Sequence, residues 1–227
     1  MKEADLAGLI QTLPAEPGIQ GRDEYFNSVV LVLLLPVNGE FHVVFEKRAP
    51  TIRQGGEISL PGGEFDEADG SLENTALRET DEEIGIPRNQ IEIVGRLDTV
   101  FAPMGAMVNV FVGITHFDPA AIRPNPNEVE RVFLLPVSHF ERNNPEIFKV
   151  STEVHPSYFD ESSNEEIILL PARELGLPEK YWKPWGGFKH KIFVYRTSEG
   201  TIWGITARIM TDLAKHLKSI SPGTLKG

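Results

Sequence analysis

Three features of the sequence predict an α/β domain, with strands and helices interspersed along the chain. First, Asn27 to Val37 is apolar almost throughout, and Asn38-Gly39 separates it from the alternating run Glu40 to Lys47. That pattern reads as a buried strand, a tight hairpin turn and a partner strand. Second, a helix with marked ends follows within a few dozen residues. Ala76, Leu77, Thr80 and Ile84 recur at helical spacing, and Gly85 and Pro87 stop the pattern. Third, strand patterns resume at Ile91 to Phe101 and Ala106 to His116, before a closing helix that ends near Leu217.

Taken in order, Ala4 to Leu13 carries apolar residues at Leu6, Leu9, Ile10 and Leu13 and stops at Pro14, as a short helix would. Arg48 to Gly56 is a loop bearing Arg48 and Arg53, and Glu57 to Leu60 is a short strand. At the start of the central helix, Asp69 or Ser71 can cap the free N–H groups, and Glu73 suits the positive end of the dipole. Beyond Ala106 to His116, a Pro/Asn-rich loop from Arg123 leads into an apolar strand, and Val137 to Phe140 begins another helix. Asn143 to Lys189 is rich in proline, acidic residues and aromatics such as Tyr158, Phe159, Tyr181, Trp182 and Trp185. It reads as an insertion that is a lid over a substrate or, in preference, a packed excursion or dimer interface. His190 to Arg196 is a strand, Glu199-Gly200 a turn, and the final helix is expected from Ile202.

The 227 residues suffice for a single elaborated domain, 1–227, and 41% apolar content supplies its core. A net charge of −11 disfavours a nucleic-acid surface. The N-terminus lacks the apolar run of a secretory signal, and no stretch approaches the roughly 20 residues that span a bilayer. With no cysteine there is neither a disulfide nor a thiolate ligand, which fits a cytoplasmic location. The six histidines, His42, His116, His139, His155, His190 and His216, show no short metal-binding spacing.

The chemistry is concentrated between Leu60 and Ile86. Glu79, Glu82 and Glu83 are three and four apart, so a helix places them on one face. Like charges at that spacing destabilise an isolated helix by about 0.2–0.5 kcal/mol per pair, so their crowding points to a ligand. Oxygen donors of this kind suit a hard cation such as Mg²⁺. Arg78 can pair with Glu82, and Gly62-Gly63 lets backbone approach a ligand.

This stretch resembles the signature of the Nudix hydrolases: Gly, five residues, Glu, seven residues, then Arg-Glu-apolar-x-Glu-Glu-x-Gly-apolar. Gly63, Arg78, Glu79, Glu82, Glu83, Gly85 and Ile86 match it. Asp69 replaces the early Glu, one extra residue precedes Arg78, and Thr80 stands at the usually aliphatic position. The Asp-containing connection, Thr75-Ala-Leu-Arg-Glu79, the lead-in Lys47-Arg-Ala49 through Ile52-Arg-Gln-Gly-Gly-Glu-Ile-Ser59, and Trp203-Gly204 before Thr206-Ala207 are similar to the coenzyme A pyrophosphatase branch.

The resemblance implies an α/β/α sandwich with a mixed β-sheet over about 27–217, interrupted by the insertion at about 143–189. It implies a metal-dependent hydrolase of a nucleoside diphosphate linked to another group. Gly63 (through its carbonyl), Glu79, Glu82 and Glu83 would hold Mg²⁺ or Mn²⁺. The catalytic base would be Glu82, Glu83, or an acidic residue after the Pro/Asn loop, Glu128 first and Glu130 second. Arg48 and Arg53 would bind phosphate. Coenzyme A or acyl-coenzyme A would yield 4′-phosphopantetheine and adenosine 3′,5′-bisphosphate. ADP-ribose or a nucleotide sugar is the alternative substrate, and a non-catalytic nucleotide-binding regulatory module the third reading. The expected partner is a small nucleotide, with no nucleic acid or membrane, in a chain that could form a homodimer.

Overall fold

The computed structural model describes residues 6–15, 18–103 and 105–220. In chain order the elements are α1 (Leu6–Thr12), β1 (Phe26–Val37), β2 (Glu40–Arg48), β3 (Ile58–Ser59), β4 (Gly62–Glu64), α2 (Leu72–Ile84), β5 (Ile91–Ala102) and β6 (Ala106–Thr115). There follow β7 (Val129–Pro136), α3 (Val137–Arg142), β8 (Glu146–Val154), β9 (Ser157–Asp160), β10 (Glu165–Ile168), β11 (Trp185–Thr197), β12 (Gly200–Trp203) and α4 (Gly204–Ile220). The first expected helix is described from Leu6 onward; its start at Ala4, like Met104 of the β5–β6 turn, lies outside the described residues.

The main sheet has seven strands and is mixed. β1 runs parallel to β6 along Phe26–Leu34 and antiparallel to β2 at its other end. Because strand side chains alternate, β1 feeds two cores. Val29, Leu31, Leu33 and Leu35 pack with Val44, Phe111, Ala76, Ile84 and Ile86 on the α2 side. Val32 packs with Val43, Phe45, Phe133, Phe140, Met210 and Leu213 on the side of α3 and α4. Burial on both faces explains why β1 is apolar almost throughout rather than alternating. The result is the expected helix–sheet–helix sandwich. Among the described residues, no helix is long and apolar enough to cross a membrane.

β1 and β2 stay paired only from Leu34↔Val43 to their turn. Beyond that they splay, and the segment 58–64 fills the wedge. β3 pairs with Glu46 and Lys47 of β2, while β4 pairs with Ser28, Val29 and Val30 of β1. The Leu31 N–H donates to the Pro61 carbonyl at 2.9 Å, which pins the turn between the two short strands. Gly62 has φ +151°, and a Cβ there would collide with the Val29 carbonyl oxygen. Only glycine lets the chain cross β1 this closely.

Two sequence expectations change. Ile202 and Trp203 belong to strand β12, and the last helix starts at Gly204. Ile202 is fully buried in the core beneath α4, so its apolar character serves a strand as well as it would a helix. In the region from Asn143, β8 pairs with β11 over its whole length, giving a three-stranded sheet ordered β12–β11–β8. β11 begins at Trp185, earlier than the expected His190.

Replacing Gly62 with Ala forces the wedge open. Calorimetry should show a loss of about 2 kcal/mol, a fall in thermal midpoint of roughly 4–8 °C for a chain of this size.

Candidate functional site

The acidic helix is fixed at both ends. Ser71, rather than Asp69, caps the start, its Oγ accepting from the Asn74 N–H at 3.1 Å. At the other end Gly85 adopts a left-handed φ of 72° and donates to Asp81 O. The Pro/Asn loop then takes the last free carbonyls: the Arg123 N–H donates to Ile84 O at 3.0 Å and the Asn125 N–H to Glu83 O at 2.8 Å. This places Glu128 beside the helix.

Asp69 has a different task. It receives Nε and Nη2 of Arg78 at 3.0 and 3.1 Å, and this pairing lowers its pKa. The same guanidinium reaches Glu79 at 2.9 Å and Glu82 at 2.8 Å. Arg78 thus gathers three carboxylates, a role the sequence suggested only for Glu82.

The three box glutamates do not point alike. Glu82 is the outer one, with its side chain 55% exposed. Glu79 lies half-buried against Gly63, where a Cβ would overlap its carboxyl group. Burial raises its pKa against the opposing pull of Arg78. Glu83 is buried, and its Oε2 accepts from the Gly62 N–H at 2.8 Å. The expected opposite face is also modified: Ala76, Thr80 and Ile84 are buried, but Leu77 is only half so.

Sequence reasoning missed Glu46. It is fully buried on β2, its Oε1 accepting from Ser59 Oγ at 2.9 Å while Oε2 has no hydrogen-bond partner. It faces Glu83. Desolvation, before any other cause, raises Glu46 to about 7 and Glu83 to about 9, and the charge of Glu46 adds to the shift of Glu83. A signal was present. Val44 faces α2, so by strand alternation Glu46 does too, an acid where the pattern calls for an apolar residue.

Glu128 is half-buried and its charge bears on both Glu46 and Glu79. Its carbonyl accepts from the Ala49 N–H at 2.8 Å, tying it to the arginine loop. Glu130 is instead an exposed partner of Lys47 at 2.8 Å. Arg48 turns inward, with Nη1 3.7 Å from Glu46 and Nε donating to Arg53 O. Arg53 is exposed and stacks over Phe26 at 5.4 Å. The structure therefore brings Gly63, Glu79, Glu83, Glu128 and Arg48 around Glu46, with Glu82 at the rim and Arg53 outside.

Among the described residues, no three carboxylates close around an ion by themselves. Arg78 holds Glu79 and Glu82 and offsets their mutual repulsion. The donor set still fits a hard divalent cation: oxygen donors throughout, a buried carboxylate oxygen lacking a partner, and the Glu79 carboxyl group packed directly against the Gly63 backbone. A cleft of about 590 Å³ lies on the other face of the sheet. Lys47 and Ile58 line it, whereas their neighbours Glu46 and Ser59 point to the α2 side; Phe148, Val194 and Trp203 form its apolar wall.

Residues 25–154 match the NUDIX domain. The human mitochondrial coenzyme A diphosphatase NUDT8 is 30% identical over 222 residues, which cover 96% of this chain and 76% of that protein. The mouse peroxisomal coenzyme A diphosphatase NUDT7 is 37% identical over 112 residues, 49% of this chain and 47% of that one. A solved MutT/nudix family protein from Enterococcus faecalis aligns over 96% of this chain and 70% of its own with 13% identity and a TM-score of 0.45.

The two buried carboxylates set a pH dependence. A carboxylate whose pKa is raised by folding adds stability below its unfolded value and loses it as pH rises through the folded value. In EDTA, the thermal midpoint should fall between about pH 5 and pH 9, from the shifts of Glu46 and Glu83. Fluorimetric melts of Glu46→Gln should show a flatter profile over the same range.

Proposed function

Since this chain belongs to the Nudix hydrolase family, we propose that it cleaves the diphosphate of coenzyme A or acyl-coenzyme A with Mg²⁺ or Mn²⁺. The observation that carries this reading is the packing of Glu79, Glu83, Glu46 and Glu128 around the Gly62-Gly63 turn. Four crowded acids gain by sharing a cation; among the described residues, Arg48 approaches Glu46 and Arg78 pairs with Glu79. Similarity along almost the whole chain to a protein named as a coenzyme A diphosphatase supports the choice of substrate. Retention of all three box glutamates favours catalysis over a regulatory nucleotide-binding role.

The carbonyl of Gly63 and the carboxylates of Glu79, Glu82 and Glu83 would hold the cation. When bound, it neutralises phosphate charge and makes a coordinated water more acidic. The chain's own residues do the rest. Arg78 holds Glu79 and Glu82 in place. The Gly62 N–H fixes Glu83, and Arg48 offers a guanidinium to a phosphate oxygen. Glu128 is best placed to take the proton of the attacking water. Its carboxylate has no hydrogen-bond or ion-pair partner among the described residues, whereas Glu82 is held by Arg78 and Glu83 by Gly62. Water adds to one phosphorus, the P–O–P bridge breaks, and 4′-phosphopantetheine and adenosine 3′,5′-bisphosphate leave. We place this reaction in the cytoplasm, with which a cysteine-free chain is compatible.

A panel of coenzyme A, ADP-ribose, UDP-glucose, dinucleoside polyphosphates and NADH with Mg²⁺ tests the assignment. Coenzyme A should be turned over with the highest kcat/KM; cleavage of a sugar nucleotide alone would move the chain to the alternative substrate class. EDTA should abolish turnover and Mn²⁺ or Mg²⁺ restore it. Glu83→Gln and Glu128→Gln should each lower kcat by about 10²–10⁴-fold, with circular dichroism unchanged.

A further inference from the structure

β8 is an edge strand that nothing among the described residues covers. It pairs with β11 on one side, and on the other its backbone N–H and C=O groups have no partner among the described residues. Ile147, Phe148, Val150 and Val154 are each about half exposed, so both faces of the strand are apolar as well as open. Soluble proteins blunt such edges with a proline, a bulge or an inward-pointing charge, because a bare edge recruits another strand. β8 has no proline, and its one register shift lies on β11, at Gly186/Phe188.

The charges along β8 point to a particular recruit. Lys149 sits directly opposite Lys191 across the β8–β11 ladder, an unfavourable pairing with no acidic partner among the described residues. Glu153 lies opposite Gly186 and meets only His155, at 3.8 Å. Glu146 is already taken by Arg196.

We infer that β8 pairs antiparallel with β8 of a second copy of this chain, about a two-fold axis at Ser151. That register sets Lys149 opposite Glu153 of the partner subunit, and the reverse, giving two ion pairs that relieve the Lys149–Lys191 conflict. It also sets Phe148 opposite Val154 of the partner subunit on the same face, burying both. The two three-stranded sheets merge into one of six strands. Since Phe148 forms part of the cleft wall, the second copy borders the cleft of the first.

Sedimentation velocity across a concentration series gives the test. The wild type should be dimeric at micromolar concentration. Lys149→Glu and Glu153→Lys should each raise the dimer Kd by roughly tenfold or more. An equimolar mixture of these two variants should recover the wild-type Kd, because the acids of one chain then meet the lysines of the other. Recovery in the mixture also excludes misfolding as the cause of dissociation. A monomeric wild type, a dimer indifferent to both reversals, or a mixture that stays dissociated would overturn the proposal. None of these positions belongs to the glutamate cluster, so failure here leaves the proposed hydrolysis untouched.

Discussion

One hydrogen bond joins the two halves of the candidate site: the Gly62 N–H to the Glu83 carboxylate. Gly62 is fixed by its pairing with β1, and Glu83 by a helix whose last carbonyls are occupied by the Pro/Asn loop. Neither end can shift without disturbing a core. The bond therefore sets the distance between the glycine turn and the acidic helix. It also places a buried carboxylate beside another, Glu46, which in turn holds Ser59 of the neighbouring short strand. Helix, turn and sheet are coupled through charged groups that an apolar core would normally exclude.

The electrostatics of the site follow from that arrangement. The molecule is acidic as a whole, and acids crowd at the site proposed to receive an anionic substrate. Arg78 offsets the outer part by binding Asp69, Glu79 and Glu82 together, while the inner pair, Glu46 and Glu83, is eased by Ser59, the Gly62 N–H and the more distant Arg48. Such strain is expected where a binding partner supplies the missing charge.

Much of this was legible in the sequence, for identifiable reasons. β1, its Asn-Gly turn and β2 were clear because composition, periodicity and turn chemistry agree. The end of α2 was clear because glycine occupies its cap, while its start stood between Asp69 and Ser71. The start of α4 was misjudged because Ile202 and Trp203 fit either a strand or a helix, and only the pairing with β11 decides between them. β8 was obscure because its partner lies across a long connection, and pairing between distant segments leaves little local trace. Glu46 was visible as an acid on an otherwise apolar strand face, but recognising which face met the helix required the fold. Asp69 stood beside Ser71 as a candidate cap because the residue types that suit caps also suit ion pairs, and sequence spacing did not show how near it lies to Arg78.

The parallel pairing of β1 with β6 has a consequence for how the molecule comes to exist. These strands are separated by about 80 residues, so the chain must close a large loop before their contacts are rewarded. The hairpin of β1 and β2 and the turns of α2 are local and can form early. The acidic pair is different: Glu46 lies on β2 and Glu83 on α2, so its burial requires the helix to dock on the sheet. By the same loop-closure argument, the electrostatic cost of the site is expected to fall on that docking rather than on the first local steps.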